Sequence, residues 1–320
     1  IATSIAESLG FDVRHVQRAA ALCKCDLLTS MVFEFPDLQG IMGRYYARHD
    51  GEPDAVAIAL DEQYQPLHAG DRLPHSDTGQ SLAIAERLDT LVGIFAIGQP
   101  PTGDKDPFGL RRAALGLLRI IIERLLDLDL RRLIDTATVN FPAALQAGDC
   151  AAAVFNFMME RLRAYYLEAG FDIHVFESVL ARQPSQPLDF DQRMAAVATF
   201  RDLPEADSLA AANKRIRNIL RKADSPIPES CSPALLHEPA EQALAEALEQ
   251  LETVVQPLFA QREYTSALRK LAALQAPVDR FFDDVMVMSE DTALRDNRLA
   301  LLNRLSALFL QVADISQLQG

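Results

Sequence analysis

What the chain does without narrows its chemistry. Its 320 residues hold four cysteines, Cys23, Cys25, Cys150 and Cys231. That is too few, and too uneven a spacing, for a disulfide framework or a zinc site, and it points to a reduced, cytoplasmic setting. No uninterrupted apolar run reaches the roughly 18 residues that a membrane span needs. No signal peptide precedes Phe11 and no initiator Met is present, so the chain reads as a soluble fragment. No glycine-rich loop followed by Lys offers a cradle for nucleotide phosphates. Positive charge is also short, because 31 Lys and Arg stand against 45 Asp and Glu, a formal net charge of −14. Affinity for RNA rests on neutralised phosphates, so any RNA contact must be local.

What is present is apolar and helical. At 49% apolar composition over this length the chain can build two or three cored domains. From Ile5 to Phe33, apolar residues recur at threes and fours (Ile5, Leu9, Val13, Val16, Ala20, Leu27, Leu28, Met31) and predict helix. Gly51, Pro53, Pro66, Gly70 and Pro74 then mark a loop-rich connection around one short helical pattern at 55–64. Between Ser81 and Leu126 two apolar segments flank a Gly/Pro loop at 98–107, which predicts a buried helical hairpin. The first segment carries a polar strip of Glu86, Asp89, Thr90 and Gly93, the second one of Arg112, Gly116, Arg119 and Glu123. Either the strips pair with each other inside the fold, or Arg111, Arg112 and Arg119 meet a phosphate backbone, to which guanidinium is suited.

Residues 129–182 read as a helical connector whose aromatics and methionines, such as Phe155, Met158 and Tyr166, sit at core spacing. Pro184 and Pro187 break the periodicity and mark a domain boundary. The next helix is expected to start near Asp189 or Asp191 as its N-cap. A following helix, about Pro204 to Ala223, has Leu209, Ala212, Ile216, Ile219 and Leu220 on one face. Its other face gathers Lys214, Arg215, Arg217, Asn218, Arg221 and Lys222 without an acid. In so acidic a chain this reversal of sign predicts an RNA contact surface rather than a merely solvated face. Lys270, on a later helix, joins the set. A proline-rich loop runs from Ser225 to Pro239, and the five glutamates between Glu238 and Glu252, with no Lys or Arg among them, predict an acidic helix turned away from RNA.

The run from Ala85-Glu86-Arg87-Leu88-Asp89-Thr90 to Phe95, followed by Gly103-Asp104-Lys105-Asp106-Pro107-Phe108-Gly109-Leu110-Arg111-Arg112, resembles the bacterial glycyl-tRNA synthetase β subunit. So do Lys24-Cys25-Asp26-Leu27, Gly40-Ile41-Met42-Gly43-Arg44-Tyr45-Tyr46-Ala47, Ala212-Asn213-Lys214-Arg215-Ile216 and Phe281 to Met288. The resemblance covers the whole chain and aligns it with the C-terminal half of that subunit. It implies an all-α architecture: an HD-like helical domain at 1–128, a helical connector at 129–182, and at 183–320 a DALR-type anticodon-binding bundle, although those four letters do not occur.

The function it implies is recognition of tRNA(Gly), with the glycine–tRNA ligase reaction (glycine, ATP and tRNA) carried out together with the α subunit in an α2β2-type assembly. The α subunit uses Mg·ATP. In this stretch no cofactor, metal, catalytic residue, membrane or DNA partner is expected. In HD hydrolases a His, a His-Asp pair and a distant Asp hold metal. The frame here offers His15, Cys25-Asp26 and Glu86 in Ala85-Glu86-Arg87-Leu88, two of the ligand positions being changed, and hard two-metal hydrolysis is poorly served by a thiolate. His49-Asp50, before Gly51 and Pro53, reads as a helix end. The alternatives are a metal-dependent phosphohydrolase and a helical scaffold without RNA affinity of its own.

Overall fold

Ser76 starts the helix around which the first part of the chain is built. In the computed structural model, which describes residues 1–68, 70–223 and 226–319, the Ser76 hydroxyl accepts the N–H of Gly79 at 3.0 Å and Asp77 follows in the first turn, both favourable at a helix N-terminus. The described residues are all-α, with a single isolated bridge between Thr102 and Lys105 as their only strand-like pairing. Two compact units result: Ile1–Tyr165 with Ser185–Leu188, and Tyr166–Pro184 with Asp189–Gly320. Residues 129–165 fall in the first unit and 166–182 in the second, and the chain changes unit again after Pro184 and after Leu188.

The first unit contains α1 (Ala2–Leu9), α2 (Val13–Leu22), α3 (Ser30–Glu34), α4 (Ile41–His49), α5 (Asp54–Glu62), α6 (Asp77–Ala96), α7 (Leu110–Glu123), α8 (Leu130–Thr138) and most of α9 (Ala151–Glu168). Helix α6 packs against α1, α2, α5, α7 and α8. Leu82, Ile84, Leu88, Leu91 and Val92 on α6, and Leu110, Leu117, Ile120 and Ile121 on α7, are buried, each worth roughly 1.5–3 kcal/mol. The predicted hairpin is thus the core of its unit.

One residue of α6 was missed by the periodicity. Arg87 is only 6% exposed, and its guanidinium donates to the carbonyls of Gln63 and Ala83 at 3.0 and 2.9 Å and of Tyr64 and Pro66 at 3.1 Å. It thereby satisfies the loop after α5. Gly116 of α7 makes room for it, since a Cβ there would lie 2.9 Å from Arg87 Nε and 3.3 Å from Pro66 Cγ.

The single helical pattern expected from Ile5 to Phe33 is corrected. Gly10, left-handed at φ 73°, ends α1, and Asp12 caps α2 by accepting the N–H of Arg14 and His15. Lys24, at φ 62°, then turns the chain into a short 3-10 turn, Cys25–Leu28. Ile5 and Val16 stay on the buried face, whereas Leu27, Leu28 and Met31 are exposed, because the period that placed them in the core is broken before they are reached. The helix end at His49 is where the sequence put it, with Gly51 at φ 83° just beyond.

The second unit contains α10 (Ile173–Leu180), α11 (Pro187–Arg201) from Asp189 onward, α12 (Ala206–Arg221), α13 (Pro239–Ala260), α14 (Tyr264–Leu271), α15 (Gln275–Asp284), α16 (Thr292–Leu310) and a closing 3-10 turn, Ile315–Leu318. Tyr166, Phe176 and Phe190 form an aromatic cluster with ring centroids 5.2–6.2 Å apart. Asp189 is not the expected cap. Helix α11 starts on Pro187, a favoured first-turn residue, which leaves Asp189 buried. There it accepts from the Tyr264 hydroxyl at 2.6 Å and from Arg193 Nε at 2.6 Å.

The acidic helix α13 is capped by a reciprocal Glu238–Glu241 box. Of its glutamates, Glu241 is fully buried on Arg298, and the half-exposed Glu252 holds Arg304 at 2.7 Å. The loop expected from Ser225 is seen from Pro226; Ser225 lies outside the described residues.

Candidate nucleic-acid interface

Helix α12 buries Leu209, Ala212 and Ile216 as the sequence predicts but leaves Ile219 and Leu220 half-buried, and its neighbours divide its charged face. Leu209, Ala212, Asn213 and Ile216 are buried, against α15, α16 and the closing 3-10 turn. Lys214, Arg215, Arg217, Asn218, Arg221 and Lys222 are all exposed. Residues three and four apart share a face, but the six do not form one free ridge. Arg217 pairs with Asp314 and reaches the Ser316 hydroxyl at 3.3 Å. Lys214 Nζ donates to the Gln319 carbonyl at 3.1 Å, and Arg221 donates to Asn218 Oδ1 at 3.2 Å. The Arg215 guanidinium sits 4.2 Å over the Phe282 ring, an arrangement that orders it without neutralising it.

Two hollows flank the helix. One, of about 430 Å3, brings Arg182, Arg217 and Arg221 to a rim above Leu220, Phe309 and Ile315. The other, a shallow shelf of about 340 Å3, is lined by Lys214, Arg215, Asn218, Ile219 and Lys222. Arg182 was not foreseen. It stands beside the proline-rich boundary, where no periodicity assigns a face, and only the folded unit brings it to α12. Lys270 is exposed on α14, a helix that packs chiefly on α13, so it stands apart from the α12 group.

The arginines of the hairpin are differently placed. Arg111 lies in the first turn of α7, where its backbone N–H donates to Asp106 at 2.9 Å and its guanidinium to the Gly103 carbonyl. Arg112 is exposed. Arg119, with a side chain only 14% exposed, holds Glu123 on its own helix at 2.7 Å and reaches the Asp71 carbonyl at 3.4 Å. Glu86 pairs with Lys24 at 3.3 Å. Glu86 and Arg119 therefore pair elsewhere than across the hairpin, and Arg119 is committed to the fold.

The positions of the HD frame are also occupied by structural contacts. His15 Nδ1 lies 3.5 Å from Asp12. Asp26, 5% exposed, accepts from the Gly40 N–H at 2.6 Å and the Tyr64 hydroxyl at 3.4 Å. Burial, foremost, pushes the Tyr64 phenol up to about 12. A hollow of about 550 Å3 opens beside Arg18, Cys25, Asp26, Asp50 and Glu52. At its edge Arg18 Nε donates to both Glu52 oxygens at 3.0 and 3.1 Å, which lowers the Glu52 carboxyl below its usual range. Among the described residues, no group of three His, Cys, Asp or Glu is placed to hold a metal ion.

A family model described as glycyl-tRNA synthetase beta subunit matches residues 1–181, and one described as DALR anticodon binding domain matches residues 209–315. The chain belongs to the glycyl-tRNA synthetase beta subunit family. It is 56% identical over 319 residues to the glycine–tRNA ligase beta subunit of Haemophilus influenzae strain PittEE, a match that covers 100% of this chain and 46% of the relative. The corresponding subunits of Actinobacillus pleuropneumoniae serotype 7 and of Vibrio cholerae serotype O1 are 56% and 54% identical with the same coverage. The chain thus spans about half the length of the curated relatives it matches. Within this family member, α12 lies almost wholly inside the anticodon-binding match, while Asp26 and the hairpin lie inside the beta-subunit match.

Proposed function

We propose that this chain is the tRNA-recognition part of a glycine–tRNA ligase β subunit. It binds tRNA(Gly) through the cations of α12, in the cytoplasm, while a partner α subunit carries out ligation of glycine with Mg·ATP. The observation that carries this reading is the outward, acid-free face of α12, inside the anticodon-binding match of a chain whose net charge is −14. Guanidinium and ammonium groups on one face position an RNA backbone, and Asn218 can donate to and accept from an unstacked base edge. The rest of the surface, being acidic, restricts RNA to this region. No described helix is long and apolar enough to cross a membrane.

A phosphohydrolase reading is disfavoured by Asp26, whose carboxylate is taken up by Gly40 and Tyr64 instead of being presented to a metal. The test is a gel-shift titration with tRNA bearing the glycine anticodon and an anticodon-swapped control. Tighter binding of the cognate tRNA is expected. Equal, salt-insensitive binding, or none, would return α12 to the status of a solvated face.

A further inference from the structure

A surface of a different kind lies in the first unit. Leu28 is 89% exposed, Phe33 79%, Tyr45 61% and Phe35 59%, with Leu27, Met31 and Ile41 each about 40% exposed beside them in sequence. These residues sit on the Cys25–Leu28 turn, on α3, on the Pro36–Leu38 turn and on α4, which pack on one another. Helix α3 is five residues long and buries only Val32. Such a helix is not stable on its own, yet most of its apolar surface is turned outward. At about 200 Å2 per aromatic side chain, Phe33, Phe35 and Tyr45 alone leave roughly 400 Å2 in water, on elements that adjoin through the Cys25–Leu28 turn, and exposed apolar area on that scale is what interaction sites carry.

Charge selects the occupant. No Lys or Arg occurs between Cys25 and Gly43, while Glu34 and Asp37 are exposed among the aromatics. The flanking cations are already paired, Lys24 with Glu86 at 3.3 Å and Arg44 with Asp61 at 3.6 Å. A phosphate backbone has nothing to hold here. A second copy would set one acidic rim against another in a two-fold contact. The matched relatives, by contrast, carry more than half of their length outside the region aligned with this chain, on the same polypeptide and therefore at high effective concentration.

We propose that the 27–45 surface is the seat of that remaining part of the longer β-subunit polypeptide, which covers Leu28, Phe33, Phe35 and Tyr45 with apolar side chains inside a neutral or basic rim. The inference rests on family membership and coverage, independently of the RNA reading. The experiment is hydroxyl-radical footprinting of the full-length β polypeptide, alone and with the α subunit. Rates are corrected for intrinsic reactivity and referred to Leu125 and Met286, 73% and 74% exposed elsewhere. Labelling of Leu28 and Phe33 roughly tenfold below those references, as expected for a side chain taken from open surface to the interior, at every protein concentration and without the α subunit, supports the proposal. Labelling at the reference rate overturns it, as does protection that grows with concentration or that requires the α subunit.

Discussion

Replacing Arg87 with Met tests the logic of the first unit most directly. The substitution keeps the apolar stem and removes a guanidinium that donates to four carbonyls at 2.9–3.1 Å. Burying that cation is itself costly, and desolvation lowers its pKa. No carboxylate is among its bonded partners, so the compensation comes from the carbonyl dipoles of residues 63, 64, 66 and 83. Hydrogen bonds to a charged group contribute about 1.5–3 kcal/mol each, and a buried acceptor left empty costs about 1–3 kcal/mol. Some of these carbonyls will recruit water, and the desolvation penalty is recovered, so a net loss of about 2–4 kcal/mol is expected, from one or two buried carbonyls left empty.

Gly116→Ala approaches the same spot from the other helix, and its Cβ 2.9 Å from Arg87 Nε should cost about 1–3 kcal/mol by overpacking. Because both changes act on one contact, the cost of Gly116→Ala should shrink in the Arg87→Met background. A chain of two units has no single two-state midpoint. The assay is therefore urea-dependent hydrogen exchange read in peptides of α6 and α7. A loss below about 1 kcal/mol for Arg87→Met, or full additivity of the two changes, would refute the claim that this guanidinium organises the loop.

The remaining predictions concern the core, the second unit and α12. Leu91 and Ile121 are fully buried, so Ala at either should lower the stability of the first unit by about 2–5 kcal/mol in the same assay; under about 1 kcal/mol at both would make the hairpin peripheral. Burial first, then the bond to Asp189, pushes the Tyr264 phenol up to about 12 from 10.0. The unfolded chain releases that proton first, so stability is expected to fall as pH rises from 10 toward 12 and to fall less in Tyr264→Phe; alkaline denaturation midpoints that match in the two proteins would contradict this. Arg182→Ala, Arg221→Ala and Lys222→Ala should weaken cognate and anticodon-swapped tRNA alike, each flattening the salt slope by about 0.7 if it removes a phosphate contact. Asn218→Ala should instead narrow the gap between the two tRNAs, and unchanged slopes in the triple variant would move RNA off α12.

How far the sequence could be read depended on which residues a regular period governs. Where an element is long and its neighbours are apolar, as in α6 and α7, the apolar segments expected to be buried are so: Leu82, Ile84, Leu88, Leu117 and Ile121 are all interior. The same method failed at Leu27, Leu28 and Met31, because Lys24 adopts a left-handed conformation that no local composition announces, and everything beyond it is rotated off the expected face. It also passed over Arg87, since a cation within an apolar face is assigned to solvent by default, whereas here the carbonyls of a distant loop converge on it. The charged face of α12 was visible as a pattern, but its division was not. Which of its cations remain available depends on Asp314 and Gln319, about a hundred residues away in sequence, and on Arg182, which no pattern linked to it. A pattern thus locates an interface, and the tertiary ion pairs decide how much of it is open. Arg217 shows the consequence: its partner Asp314 is only 8% exposed, so an Ala at Arg217 would strand a nearly buried carboxylate and confuse lost RNA affinity with lost stability, whereas Arg182, Arg221 and Lys222 can be changed without breaking an ion pair among the described residues.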